Sequence, residues 1–216
     1  MDETKERKIR EKIAEYIIRI QKYENLNQED MAINPFLASA LKLNSKEEIL
    51  KFFLLQRLQR GMVTSFGSLL QEIAKALDSD AKIEDVDLAV KKDDKLHYVQ
   101  LKSGPEGFTR PALRKTKAAF DKLKKEDPKC VTTIAFCYGV KNQLSKIWGK
   151  ELYKSADIVL VGKEFWNYFF GDGCYDKLIN IFETMTIGDS KESIQRKSFD
   201  QIFKIAYSRI SKTEQK

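Results

Sequence analysis

The stretch Ile83–Pro105 constrains the fold more than any other part of the chain. Two short apolar runs, Ile83–Val90 and Leu96–Leu101, flank the charged string Lys91-Lys92-Asp93-Asp94-Lys95. Apolar runs on either side of a polar turn predict a β-hairpin, here with one of the longer loops. A basic helix follows, with Thr109 as its N-cap, Pro111 in its first turn and Asp127-Pro128 as its stop. Next come an apolar, β-branched strand over Val131–Tyr138, a helix around Leu144–Tyr153 and a strand at Ile158–Val161. Strands that alternate with helices predict an α/β fold, a mixed central sheet with helices on both faces.

Upstream of the hairpin the pattern is helical. Ile9, Ile13, Tyr16, Ile17 and Ile20 recur at helical spacing within residues 5–23. Asn25–Ile33 reads as a loop. Asn34-Pro35 opens a short helix, and Ser45 with Glu48 three residues on makes a capping box for the next one. Gly61 is the expected C-terminal stop of that helix. A new helix is then expected through Leu69, Leu70, Ile73, Ala74 and Leu77, ended by Asp78-Ser79-Asp80. Downstream, helices are expected over Lys163–Phe170, Tyr175–Met185 and about Lys191–Ser211. The domain reading is a helical region over 1–78 packed on an α/β core over 79–216, together one compact unit.

The chain has 216 residues, 42% hydrophobic and 33% charged. That is enough apolar material for a core, and no run approaches the ~20 apolar residues of a membrane span. The first residues are charged and form no secretory signal. Cys130, Cys137 and Cys174 make no C-x-x-C pair, and His97 is the only histidine, so no zinc site is expected and reduced cytoplasmic thiols are. A net charge of +7 and a pI near 9.1 fit an anionic partner such as nucleic acid.

Side chains on a strand alternate, so Gln100 and Lys102 share a face. Folding the hairpin back brings Asp87 to the same spot. A carboxylate there can hold Mg²⁺, and Mg²⁺ with a nearby Lys can activate water and neutralise a phosphate. His97 reads as a strand-edge surface residue, and Trp148, Trp166, Phe169 and Phe170 read as core. Lys141-Asn142-Gln143 is either a loop suited to base edges or a helix start.

The hairpin resembles that of the PD-(D/E)XK nucleases, with Asp87 as the metal-binding acid and Gln100-Leu101-Lys102 in place of E-x-K. More narrowly, the chain is similar to a group of small prokaryotic type II restriction endonucleases. The matching segments are Asn34-Pro35-Phe36-Leu37, the Arg57–Gly67 segment with its Thr64-Ser65-Phe66-Gly67 string, Gln100–Pro105 and Val161–Trp166. The resemblance spans about Asn34 to Met185. It implies Mg²⁺-dependent, sequence-specific cleavage of double-stranded DNA, a homodimer on a palindromic site, and a DNA methyltransferase as functional partner. Asp87 would ligate Mg²⁺ and Lys102 would orient the attacking water. Gln100 departs from the usual acid, so a second carboxylate is expected to help; Glu72 is the candidate, with Glu84 and Asp85 as rivals. The carbonyl of Leu101 would also face the metal. DNA contacts are expected from Arg60, Thr64, Ser65, Ser103, Arg110, Arg114, Lys115, Lys141 and Asn142. Arg110 is the candidate for a base contact, Arg114 for a phosphate contact. Two other readings stay open: a structure-specific repair or junction nuclease of the same superfamily, and a catalytically silent DNA-binding module.

Overall fold

A computed structural model describes residues 2–77, 85–144, 149–185 and 196–213. They fall into two compact units, one within Met1–Lys12 and Gly67–Met185, the other within Ile13–Phe66 and Thr186–Lys216. The helices are α1 (Glu3–Gln21), α2 (Pro35–Ala40), α3 (Lys46–Leu77), α4 (Arg110–Glu126), α5 (Gly149–Ser155), α6 (Lys163–Phe170), α7 (Cys174–Thr184) and α8 (Phe199–Thr213). The strands are β1 (Leu88–Lys92), β2 (Lys95–Lys102), β3 (Val131–Phe136) and β4 (Ile158–Val161). Among the described residues no helix is long and apolar enough to cross a membrane.

In the first unit the four strands lie in the order β1-β2-β3-β4. The β1/β2 pair is antiparallel, while β2/β3 and β3/β4 are parallel, so the sheet is mixed. Parallel neighbours need a crossover connection, and α4 and α5 supply the two. They cover one face: Phe108, Leu113, Phe120, Leu123 and Leu152 pack on Ala89, Tyr98, Ile134, Phe136, Val159 and Val161. Full burial of such side chains contributes about 1.5–3 kcal/mol each. The opposite face carries α6, whose Tyr168 and Phe169 rings meet His97 edge-on at 5.8 and 5.3 Å.

The hairpin forms, but among the described residues its first strand begins only at Leu88 and its loop is only two residues. Lys91 and Lys92 pair with Leu96 and Lys95, leaving Asp93-Asp94 to turn the chain. Both residues have positive φ, +50° and +57°, the geometry of a type I′ turn. Asp tolerates that region, so no longer loop is needed. Cys130 and Cys137 flank β3, and all three cysteines are buried and free.

In the second unit, Leu26, Met31, Leu50, Leu54 and Leu58 pack with Ile202, Ala206 and Ile210 of α8. The expected caps are present: Asn34 Oδ1 accepts from the N–H of Phe36 and Leu37, and Ser45 and Glu48 bond reciprocally. Gly61 is not a stop. The helix continues through it to Leu77 as one element of 32 residues. A Cβ at Gly61 would stand 2.1 Å from the Tyr23 hydroxyl oxygen, and the Arg57 guanidinium lies over the same ring at 5.7 Å. The glycine makes room for a tyrosine, a tertiary requirement that local sequence does not display. The helix expected around Leu144–Tyr153 is a 3-10 turn at Lys141–Gln143 and then α5. Glu84, Trp148 and the Asp78-Ser79-Asp80 stop lie outside the described residues.

Candidate active site

The antiparallel register of β1 and β2 sets the geometry. Leu88 pairs with Val99, which continues to Asp87 opposite Gln100; the Asp87 N–H donates to Val99 O at 3.1 Å. Asp87 Oδ2 then accepts from the Gln100 amide nitrogen and from the Leu101 N–H at 2.8 Å. Lys102 follows on the same face. Its ammonium sits 5.2 Å from the centroid of the buried Phe108 ring, a cation–π contact that holds the charge at one place. Its Cβ is 3.0 Å from where a Cβ of Gly107 would be, so glycine at 107 leaves room for the stem.

Asp87, Gln100 and Lys102 line a cavity of about 340 Å³ with Asp85, Val86, Ala112, Lys115 and Thr116. Of the two helper acids among the described residues, Asp85 lines it; its φ is +80°, and its carboxylate lies 3.7 Å from the Lys122 ammonium. Glu72 does not. It is exposed and bonded to Lys12 at 3.1 Å. The residue that approaches β2 is its neighbour Gln71, whose amide nitrogen donates to Leu101 O at 3.2 Å. Adjacent helical residues differ by about 100° in direction, so Glu72 points elsewhere. One signal was present: Gly67 lies one turn before Gln71, and a Cβ there would be 3.3 Å from Ser103. The two mark the helix face that meets the end of β2.

The donors suit a hard cation. Asp87 offers a carboxylate, Gln100 an amide oxygen and Leu101 a carbonyl, all oxygen ligands. No group of three or more His, Cys, Asp or Glu side chains comes together among the described residues. Cys137 offers no thiolate, because burial, with the Asp87 carboxylate adding to it, pushes its thiol far up. His97 is corrected from a surface residue to a core one, 2% exposed, with Nδ1 lacking a hydrogen-bond partner among the described residues. Burial holds its pKa below the usual value. Strand β2 is interior to the sheet and covered on both faces, so polar position along it did not imply exposure. Trp166 is core as expected, its indole N–H donating to Cys137 O at 2.7 Å.

The expected DNA contacts are dispersed. Lys115 joins the Asp87 cavity. Arg110 and Arg114 instead line a neighbouring cavity of about 410 Å³ with Leu113, Lys117, Glu151, Lys154 and Ser155. Ser103 borders a third hollow beyond the end of β2. Lys141 is bonded to Glu164 at 2.9 Å, which raises its pKa, and Asn142 is exposed in the 3-10 turn. Arg60 and Thr64 are exposed on the part of α3 that belongs to the second unit, and the Ser65 hydroxyl there donates back to Gly61 O at 2.8 Å.

A mixed sheet carrying Asp, Gln and Lys in one cavity, beside basic helical surface, has the form of a nuclease. The model of the type II restriction endonuclease EcoO109I family matches residues 3–189. The chain belongs to that family, and is accordingly a site-specific endodeoxyribonuclease that cleaves double-stranded DNA. No curated protein matches the chain significantly.

Proposed function

We propose that the chain hydrolyses phosphodiester bonds at a short specific DNA site in a Mg²⁺-dependent reaction of the PD-(D/E)XK kind, with Asp87, Gln100 and Lys102 as its working residues. The observation that carries this reading is the convergence of those three side chains on one cavity at the hairpin. Bound there, Mg²⁺ would lower the pKa of water and screen the phosphate. Asp87 would hold it by charge, and the Leu101 carbonyl, now accepting from Gln71, is a further candidate ligand. Gln100 turns its amide nitrogen to Asp87; to serve as a ligand it would rotate and present its oxygen. Asp85 lines the cavity and is the helper acid we favour over Glu72. Lys102 holds an ammonium at the cavity, where it would orient the attacking water and stabilise charge on the phosphate. Lys115 adds positive charge at the same mouth, and Arg110, Arg114, Lys141, Asn142, Ser103, Arg60 and Thr64 are further candidate contacts. Two-fold symmetric sites match two-fold symmetric proteins, so the working form is a homodimer in the cytoplasm, paired with a methyltransferase that protects host DNA.

The test is plasmid cleavage by Asp87→Ala and Lys102→Ala beside circular dichroism. Loss of a metal ligand or a positioned cation typically costs several kcal/mol at the transition state, so each variant should fold and lose cutting by a factor of about 10² or more. The parent should also lose cutting in EDTA and recover it with Mg²⁺. Cleavage retained by either folded variant would remove the assignment.

A further inference from the structure

Beyond Lys102 the chain turns sharply through Ser103–Gly107, closed by the Gly107 N–H donating to Gly104 O at 2.9 Å. A second loop leaves β3 at Cys137. The two are fastened together: Cys137 N–H donates to Lys102 O at 2.9 Å, and Tyr138 N–H to Ser103 O at 3.1 Å. Glycines let them touch. A Cβ at Gly104 would stand 2.6 Å from the Tyr138 ring, and one at Gly139 would stand 2.5 Å from Pro105. Gly139 also has φ +102°, open to glycine almost alone.

These braced loops border a hollow of about 620 Å³ that includes Glu106, Tyr138 and Gln143. Tyr138 keeps 43% of its surface exposed although Gly104 backs its ring. An exposed aromatic on a rigid support presents a flat apolar wall at little entropic cost. Gln143 has committed its oxygen, which accepts the Val140 N–H at 2.8 Å, so its free polar group is the NH₂ donor. Glu106 is exposed.

A carboxylate here is informative because of where it stands, four residues after Lys102 in a chain of net charge +7. Against DNA phosphates it is repelled, so it cannot serve as a backbone contact. What it can do in the major groove is accept from the exocyclic amino group of cytosine or adenine. We propose that this hollow reads one base of the target duplex. Glu106 accepts from an exocyclic amino group, Gln143 donates to a neighbouring base-edge acceptor, and Tyr138 forms the wall. The inference rests on the reading of Lys102 as the cleavage residue, since that reading puts the scissile strand beside the loop.

The test begins by sequencing the ends of a plasmid digest to define the parent's site. Parent, Glu106→Ala and Glu106→Gln are then compared in Ca²⁺ for binding to the cognate duplex and to duplexes changed at each position in turn. Two further arms replace one cytosine by 2-pyrimidinone or one adenine by purine, removing only the amino group. Loss of a base contact is worth about 5- to 150-fold. At one position the parent should lose that much on removal of the amino group, and Glu106→Ala should be indifferent to it. Whether the pyrimidine or the purine arm responds identifies the base. Glu106 is exposed, so circular dichroism and binding to scrambled duplex should match the parent. If the parent cuts a defined site and both variants keep its ranking of all duplexes, the assignment is overturned. A parent that cuts no duplex instead overturns the cleavage reading, and this assignment with it.

Discussion

Gln100→Glu separates the demands of folding from those of metal binding. In the present chain Asp87 Oδ2 accepts from the Gln100 amide and from the Leu101 N–H. The substitution replaces the first donor with a second carboxylate. A hydrogen bond to a charged group contributes about 1.5–3 kcal/mol. Two unit charges ~4 Å apart repel by about 4 kcal/mol at an effective dielectric of ~20. Sharing one proton limits the damage and raises the apparent pKa of the pair. A loss of about 3 kcal/mol in EDTA at pH 8 is therefore expected, or a melting temperature lower by about 6–12 °C for a chain of this size. The sign with pH follows from linkage. Raised folded-state values mean that the folded protein binds the proton more readily than the unfolded chain. The penalty is thus absent below the unfolded value near ~4 and grows as pH rises through the raised one. Added Ca²⁺ should act the other way, because two carboxylates hold a hard cation better than a carboxylate and an amide. A ligand at 100 times its Kd stabilises by about 2.7 kcal/mol, enough to offset most of the deficit. Thermal unfolding across pH 4–9, in EDTA and in Ca²⁺, reads both effects. Equal melting of parent and variant in EDTA, or an equal gain with Ca²⁺, would refute the reasoning.

His97→Phe should flatten the acid side of the stability profile. Burial lowers the His97 pKa, so below the unfolded value of ~6.5 the unfolded chain takes up a proton that the folded one resists, and stability falls with pH; a parent-like loss between pH 7.5 and 5 in urea titrations of the variant would contradict this. Gly61→Ala should be less stable than Gly67→Ala. The first drives a methyl to within 2.1 Å of the Tyr23 hydroxyl oxygen and the second only to 3.3 Å of Ser103, so overpacking of about 1–3 kcal/mol outweighs the ~1 kcal/mol gain in helix propensity at the first site alone. A reversed order in denaturant midpoints would overturn it.

The parts of the fold that were legible in sequence are those governed by local rules. Apolar runs around a polar turn placed the β1/β2 hairpin, and β-branched density placed β3; capping residues placed α2 and the start of α3. What escaped depends on partners distant in sequence. Gly61 looks like a helix stop until Tyr23 is seen against it. His97 looks exposed until α6 covers that face of β2. The site shows the same division. Asp87, Gln100 and Lys102 lie on one hairpin, so strand geometry alone brings them together. Gln71 belongs to α3, and choosing it over Glu72 requires knowing which helix face meets the strand.

The end of β2 also suggests how an amide can stand where an acid is usual. Both backbone groups of Leu101 are held, its N–H by Asp87 and its carbonyl by Gln71. The next carbonyl, of Lys102, accepts from Cys137 N–H beyond β3, and Lys102 itself pairs with Phe136 in the parallel ladder. The backbone that presents the site is thus fixed by bonds that do not involve the Gln100 side chain. A residue whose position is set by its strand can change from carboxylate to carboxamide without moving the groups around it, since the supporting contacts decide the geometry. The change then falls on charge. The site would hold its cation with one unit less negative charge, and the ammonium of Lys102, anchored over Phe108, faces less competition for the phosphate. On the proposed mechanism, that trade would place more of the transition-state stabilisation on Lys102 and would make its position, rather than the metal's grip, the more sensitive part of the constellation.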